Sequence, residues 1–201
     1  MGERVVQTWA RFVWSGNSLL PGPIAIDDEK LTRLPLHIEF RRNGKGGLPL
    51  DTLRLLIPTW QKVQFDPDGF SHRDVMELLL LGAERACIDV WATDEEIELG
   101  HAVTERVMLR ERLPAEFNMH YLTDELFPRL QHLRKLGPRA ILIVGRKKGD
   151  VGYVHDRIPR DILASFDWWL APDEGNEIPL KNNGALTGWV LDGSRMVDDV
   201  R

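Results

Sequence analysis

The densest grouping of chemically useful side chains in the sequence is Gly145-Arg146-Lys147-Lys148-Gly149, three cations held between two glycines. Side chains of this kind can clasp a phosphate or carboxylate, and the glycines leave backbone N–H groups open to the same anion. The spacing fits neither the phosphate-cradling GxxxxGK[ST] loop nor the dinucleotide fingerprint GxGxxG. The segment therefore reads as an anion- or partner-binding turn, although a solvated hairpin turn between two apolar strands has the same composition.

Acid–base and metal-binding candidates are sparse. His155 precedes Asp156, but neighbours on a strand point to opposite faces, so Asp156 is badly placed to orient the imidazole. His72 and Asp74 fall in a first helical turn, where Asp74 serves the helix dipole. Glu98 and His101 stand three apart on an expected helix, a spacing that aims a carboxylate and an imidazole at one ion. A di-iron bundle needs that pair twice, and the sequence has it once. Asp89, after Glu84, has no Glu-x-Lys on a following strand to complete a nuclease site. Cys87 lies in the apolar run ACIDV with no histidine nearby in sequence, so it reads as a structural thiol. Metal and cofactor are accordingly assigned as none, with Glu98 and His101 the candidate ligands were one required. Trp168, beside Phe166 and Trp169, is expected to point away from the core side of its helix and offer a ring to a partner.

The elements that must position these residues follow from periodicity. Residues 4–14 alternate at period two and read as a half-buried strand, and 34–42 as a second strand ending at the turn-rich 43–47. Leu53, Leu56, Ile57, Trp60 and Val63 form a helical stripe broken near Pro58. FDPDGFS reads as a loop. Ser71 with Asp74 opens a helix, apolar nearly all round, over Val75 to Arg85; residues 87–92 read as a short strand. Thr93 with Glu96 forms a capping box before a helix running to about Arg112, and a further helix starts at Thr123 and stops at Gly137-Pro138. Residues 139–155 read as a strand pair around the basic turn. Ile162, Leu163, Phe166, Trp169 and Leu170 then mark a covering helix, 171–184 a loop, 185–191 a last strand, and DGSRMVDDVR a frayed tail.

The expected architecture is one α+β domain over 1–201 with a mixed or antiparallel sheet and about four helices. Its parts are a β-rich region over about 1–66, a helical middle over about 71–137 and a C-terminal strand pair plus helix over about 139–191. At 201 residues, 43% hydrophobic and 28% charged, the chain can bury one substantial core and is too apolar for disorder. A lone cysteine excludes an intrachain disulfide and fits a reducing, cytoplasmic setting. Residues 1–20 lack the apolar core of a signal peptide, and no run approaches a membrane span. The net charge of −5 disfavours a protein that coats nucleic acid. Its distribution is polarised, because residues 126–161 hold nine basic and three acidic side chains, +6, which leaves −11 elsewhere.

Seven tryptophans and polarised charge, without a catalytic constellation, give as the leading reading a non-catalytic intracellular protein-binding subunit of accessory, inhibitor or immunity type. It would use Trp168 and the turn Arg146, Lys147 and Lys148, with another protein as partner. The alternative is an enzyme acting on a phosphorylated or nucleic-acid substrate, with Arg146, Lys147 and Lys148 as anion holders and His155 as acid/base. The two readings separate on whether His155 and the basic turn border one pocket.

Overall fold

A computed structural model describes residues 6–41, 47–69, 71–173, 180 and 183–200. Most of the turn expected over 43–47 and much of the loop expected over 171–184 lie outside the described residues. The first strand, β1 (Gln7–Ser15), turns back through the short antiparallel β2 (Ser18–Leu20) and β3 (Ile24–Ala25). Seven strands follow: β4 (Pro35–Arg41), β5 (Lys62–Asp68), β6 (Arg85–Asp89), β7 (Val107–Arg112), β8 (Ala140–Val144), β9 (Asp167–Ala171) and β10 (Leu186–Asp192). Each pairs in parallel with the next, β4 pairs with β1, and β10 returns to β1 with Gln7 opposite Gly188 and Arg11 opposite Asp192. β1 and β4–β10 thus close an eight-stranded all-parallel barrel.

Seven α-helices clothe the described barrel: α1 (Leu50–Leu56), α2 (His72–Leu80), α3 (Asp94–Val103), α4 (Phe127–Leu133), α5 (Asp150–His155), α6 (Arg160–Leu163) and α7 (Gly193–Asp198). The fold is therefore a (β/α)8-type barrel. The α+β domain with a mixed or antiparallel sheet and about four helices is corrected on each count.

The errors have local causes. β5 carries Asp66-Pro67-Asp68, which imitates a loop. Its inward positions are polar, and Pro67 falls outward near the strand end, where a missing donor is tolerated. β7, VMLRER, was expected as the tail of a helix, yet Val107, Leu109 and Glu111 face the helices while Met108, Arg110 and Arg112 face the lumen. The stretch expected as a strand after the basic turn is α5, and the stretch expected as a covering helix is split between α6 and β9. α2, expected as apolar nearly all round, buries one face through Val75, Leu78 and Leu79 and leaves Leu80 78% exposed. The expected frayed tail holds α7, whose Gly193 abuts Phe12.

Both capping boxes are present. Thr93 Oγ1 accepts from the Glu96 amide at 3.2 Å while Glu96 accepts from the Thr93 amide at 3.1 Å, and Ser71 and Asp74 repeat the exchange. Thr93→Ala is expected to destabilise by about 1 kcal/mol in urea denaturation, with Thr93→Ser nearly silent; equal losses would show that the methyl group, not the hydroxyl, matters.

The lumen is two-sided. Trp9, Cys87, Met108, Leu142, Trp169 and Val190 form an apolar plug, in which Trp9 and Trp169 meet edge to face at 5.8 Å. Gly188 makes room for it, since a Cβ there would run into the Trp169 ring. Above the plug, toward the C-terminal strand ends, the wall built by β1 and β4–β7 is charged.

Candidate active site at the C-terminal mouth of the barrel

The charged wall follows from strand periodicity. Residues two apart share a face, so β1 offers Arg11 above Trp9, β4 offers His37, Glu39 and Arg41, and β5 offers Gln64, Asp66 and Asp68. β6 adds Asp89 above Cys87, and β7 adds Arg110 and Arg112 above Met108. Register brings them together: Arg11 lies opposite His37, Glu39 opposite Asp66, and Asp89 opposite Arg110.

Two hubs organise the cluster. Glu39, fully buried, accepts from Arg11 Nε at 2.6 Å and from Arg112 at 3.3 Å, and Arg112 reaches on to Asp66 at 3.2 Å. Arg110, buried, extends one guanidinium nitrogen to Asp68 at 2.9 Å and Asp89 at 3.0 Å. Its Nε lies 3.4 Å from Asp66 Oδ1, close enough for an ion pair but not aligned as a hydrogen bond.

These surroundings drive the two neighbouring carboxyls apart. Burial raises the Glu39 carboxyl, but Arg11 and Arg112 more than offset it and hold it at about 2. Burial raises Asp66 to about 6, with Arg110 and Arg112 opposing and Glu39 reinforcing the shift. Burial lowers His37 to about 3 despite the neighbouring Glu39, so its imidazole is neutral. Both His37 ring nitrogens, the Gln64 amide and Asp66 Oδ1 lack hydrogen-bond partners, an unusual density of orphaned polar atoms for a protein interior.

A cavity of about 190 Å3 opens at this mouth, lined by Arg11, Arg41, Asp192, Leu20 and Pro21 among others. That is below the roughly 300–1,000 Å3 of most ligand pockets, so it suits a compact ligand or a terminal anionic group. Depressions of about 430 Å3 beside Leu55 and about 440 Å3 beside Ser165 open on the outer surface and hold no buried titratable side chain.

The residues singled out in sequence fall as follows. Arg146, Lys147 and Lys148 occupy the loop between β8 and α5, hence the same C-terminal face as the charged mouth, and all three are exposed. The backbone N–H groups expected to greet an anion are taken, because Arg146 and Lys147 donate theirs to the Asp150 carboxylate at 3.1 and 2.8 Å. Arg146 Nε also donates to the Leu113 carbonyl at 2.7 Å. His155 ends α5 and is fully buried on the outer side of the barrel wall, its ring edge-on to Trp168 at 6.2 Å; burial lowers its pKa. It does not line the mouth cavity.

Trp168, expected as an exposed ring, is fully buried on β9 with Nε1 donating to the Leu163 carbonyl, because the assumed helix is a strand with both faces covered. Of the seven tryptophans, Trp91 is the exposed one. The protein-binding reading loses its anchor with Trp168. Glu98 is exposed and His101 packs against Gly137, and the pair gathers no third ligand among the described residues. His72 and Asp74 serve the α2 cap, and Cys87, buried in the plug, has its thiol pKa raised by burial. Asp89 alone among the weighed acids reaches the mouth.

Sequence reasoning missed Arg11, His37, Glu39, Asp66, Arg110 and Arg112. The available signal was the charged residue at the end of successive period-two strands, HIEFR, FDPD and LRER, which is how a barrel mouth is written.

No protein-family model and no curated protein matches the chain. Among solved structures 162 chains resemble it, a breadth expected of a fold that hosts many unrelated functions. One is a "putative phosphonomutase from Burkholderia cenocepacia J2315", with a TM-score of 0.50 and 12% identity over 76% of this chain and 72% of the other. The likeness carries the fold. No helix among the described residues is long and apolar enough to cross a membrane.

Proposed function

We propose that the protein is an enzyme acting on a small phosphorylated or similarly anionic substrate at the C-terminal mouth of its barrel. The observation that carries this reading is the charged cluster of buried Glu39, Asp66 and Arg110 with half-buried Arg112. The opposite lumen wall is apolar, so the fold has no need of ions there, and buried ion pairs are often no more stable than the apolar residues that could replace them. Charges kept at such a cost, on the face where barrels of this type place their chemistry, mark a working site.

Arg11 and Arg41 line the mouth cavity from adjacent strands, and Arg146, Lys147 and Lys148 crown the same face. These cations would draw and clasp the anionic end of the substrate, while the reacting end meets Glu39, Asp66 and Arg110. The small cavity favours a metabolite over nucleic acid. A fold neighbour described as a phosphonomutase adds phosphorus chemistry to what such barrels carry.

The test is a thermal-shift and calorimetric screen of inorganic phosphate, pyrophosphate and a panel of sugar phosphates and phosphonates. At least one should stabilise the protein, with an affinity that falls as salt rises. Arg41→Gln should weaken that ligand about tenfold or more. Replacing Arg146, Lys147 and Lys148 by Ser should weaken it less and flatten its salt dependence, with stability within about 1 kcal/mol of wild type as for surface changes generally. A panel in which no phosphorylated compound binds, or binding indifferent to Arg41, removes the reading.

A further inference from the structure

We infer that His37, Glu39 and Asp66 form a binding site for one divalent transition-metal ion inside the lumen. One donor atom from each lies within 4.8 Å of the other two, and all three residues are buried. His37 and Glu39 stand two apart on β4, both facing inward, and Asp66 is the register partner of Glu39 on β5. An ion bonded at roughly 2.0–2.2 Å holds its ligands roughly 3–4 Å apart. Side-chain adjustments of about an ångström therefore close the triad.

A second, independent observation points to a ligand. His37 is fully buried with neither ring nitrogen bonded, Asp66 Oδ1 has no hydrogen bond, and Gln64, the register partner of His37, has an unpartnered amide. Polar atoms stripped of water are costly unless something bonds them. Here three neighbouring side chains share that deficit around one point. An ion on His37, Glu39 and Asp66, with Gln64 turned toward an ion-bound water, gives a partner to one His37 ring nitrogen, to Asp66 Oδ1 and to the Gln64 amide. His155 also has unbonded nitrogens, but no donor cluster surrounds it among the described residues.

The donor set decides the class of ion. One imidazole and two carboxylates suit Mn2+, Fe2+, Co2+ or Zn2+, whereas Mg2+ and Ca2+ prefer oxygen alone. All three ligands come from two adjacent strands, so the remaining positions face the lumen. The carboxylates now lean on Arg11 and Arg112. A dication taking over as their counter-ion frees both guanidiniums to meet a substrate anion, which links the ion to the mouth without depending on it.

The experiment uses the full chain, stripped with chelator and titrated separately with Mn2+ and Co2+. One equivalent should bind, seen by calorimetry, by the Mn2+ electron paramagnetic resonance signal and by cobalt d–d absorption. Cobalt-loaded wild type should show paramagnetically shifted proton signals from a single imidazole, a readout that needs no variant. His37→Asn should lose affinity beyond the roughly 10–100-fold typical of changes outside the ligand shell. His101→Asn, at the half-buried histidine of the Glu98–His101 pair outside the lumen, should leave it unchanged. Failure of either metal to bind, or binding undiminished in His37→Asn without a shifted imidazole signal, overturns the site; so does a crystal grown with Mn2+ that shows only water at His37. Phosphate binding by the stripped protein, measured in the same series, separates the two proposals. If it persists while the metal fails, the ion alone is lost.

Discussion

Glu39→Gln is expected to lower stability by about 3 kcal/mol, the scale set by removing one partner of a buried ion pair. Glu39 is fully buried and takes Arg11 Nε at 2.6 Å and Arg112 at 3.3 Å, with Arg41 at 3.7 Å. An amide keeps the shape but not the charge, leaving the Arg11 and Arg112 guanidiniums mutually repelling in a confined space. Urea denaturation would read the loss, and Asp161→Asn supplies the contrast. Asp161 meets Arg134 at 3.3 Å on the surface, where both are accessible, so removing its charge should change stability by under about 1 kcal/mol. If the mouth binds anions, phosphate should restore much of the Glu39→Gln deficit, because a bound oxyanion replaces the missing charge. Equal small effects from both substitutions would mean that the mouth is wet enough to screen its own ions.

The second large effect concerns Glu111, on the outer side of β7. Its carboxylate accepts from the Tyr121 hydroxyl at 2.5 Å and from Trp91 Nε1 at 2.8 Å, the former from a π-helical turn over Tyr121–Leu126. Burial raises its pKa to about 7. The Tyr121 and Trp91 hydrogen bonds and Arg110 resist the shift, and Asp89 adds to it. A carboxyl whose folded pKa exceeds its unfolded value stabilises fully below the unfolded value of about 4.5, and that contribution is lost as pH rises to about 7. The shift corresponds to about 3 kcal/mol. Glu111→Gln, which can still pair with both neighbours, should therefore match wild type near pH 4 and exceed it by about 3 kcal/mol at pH 8. Denaturation of both proteins across that range measures the difference directly. Parallel pH profiles would show that Glu111 is ionised in the folded protein at neutral pH and that its pocket admits water.

Local signals in the sequence were reliable where a single segment contains its own cause. Thr93 and Glu96 sit three apart and bond each other whatever the rest of the chain does, and so do Ser71 and Asp74. The strands at 4–14 and 34–42 were legible from alternation, and the break at Pro58 from the proline itself.

What alternation could not reveal is what lies on the second face. Arg11 and Glu39 look like the solvent side of half-buried strands, and in an open sheet they would be. Closure decides otherwise, and closure depends on β10 pairing with β1 across nearly the whole chain, a contact that no window of residues encodes. The same blindness turned β5 and β7 into a loop and a helix tail. Their inward positions toward the C-terminal strand ends are polar because they line the barrel mouth, so the residues that make the candidate site are those that weaken the strand signal. The sequence by itself determined caps, breaks and the period of individual strands. The tertiary structure alone decided that the polar face of those strands points into a shared interior, because side chains far apart in sequence meet there only once the sheet has closed on itself.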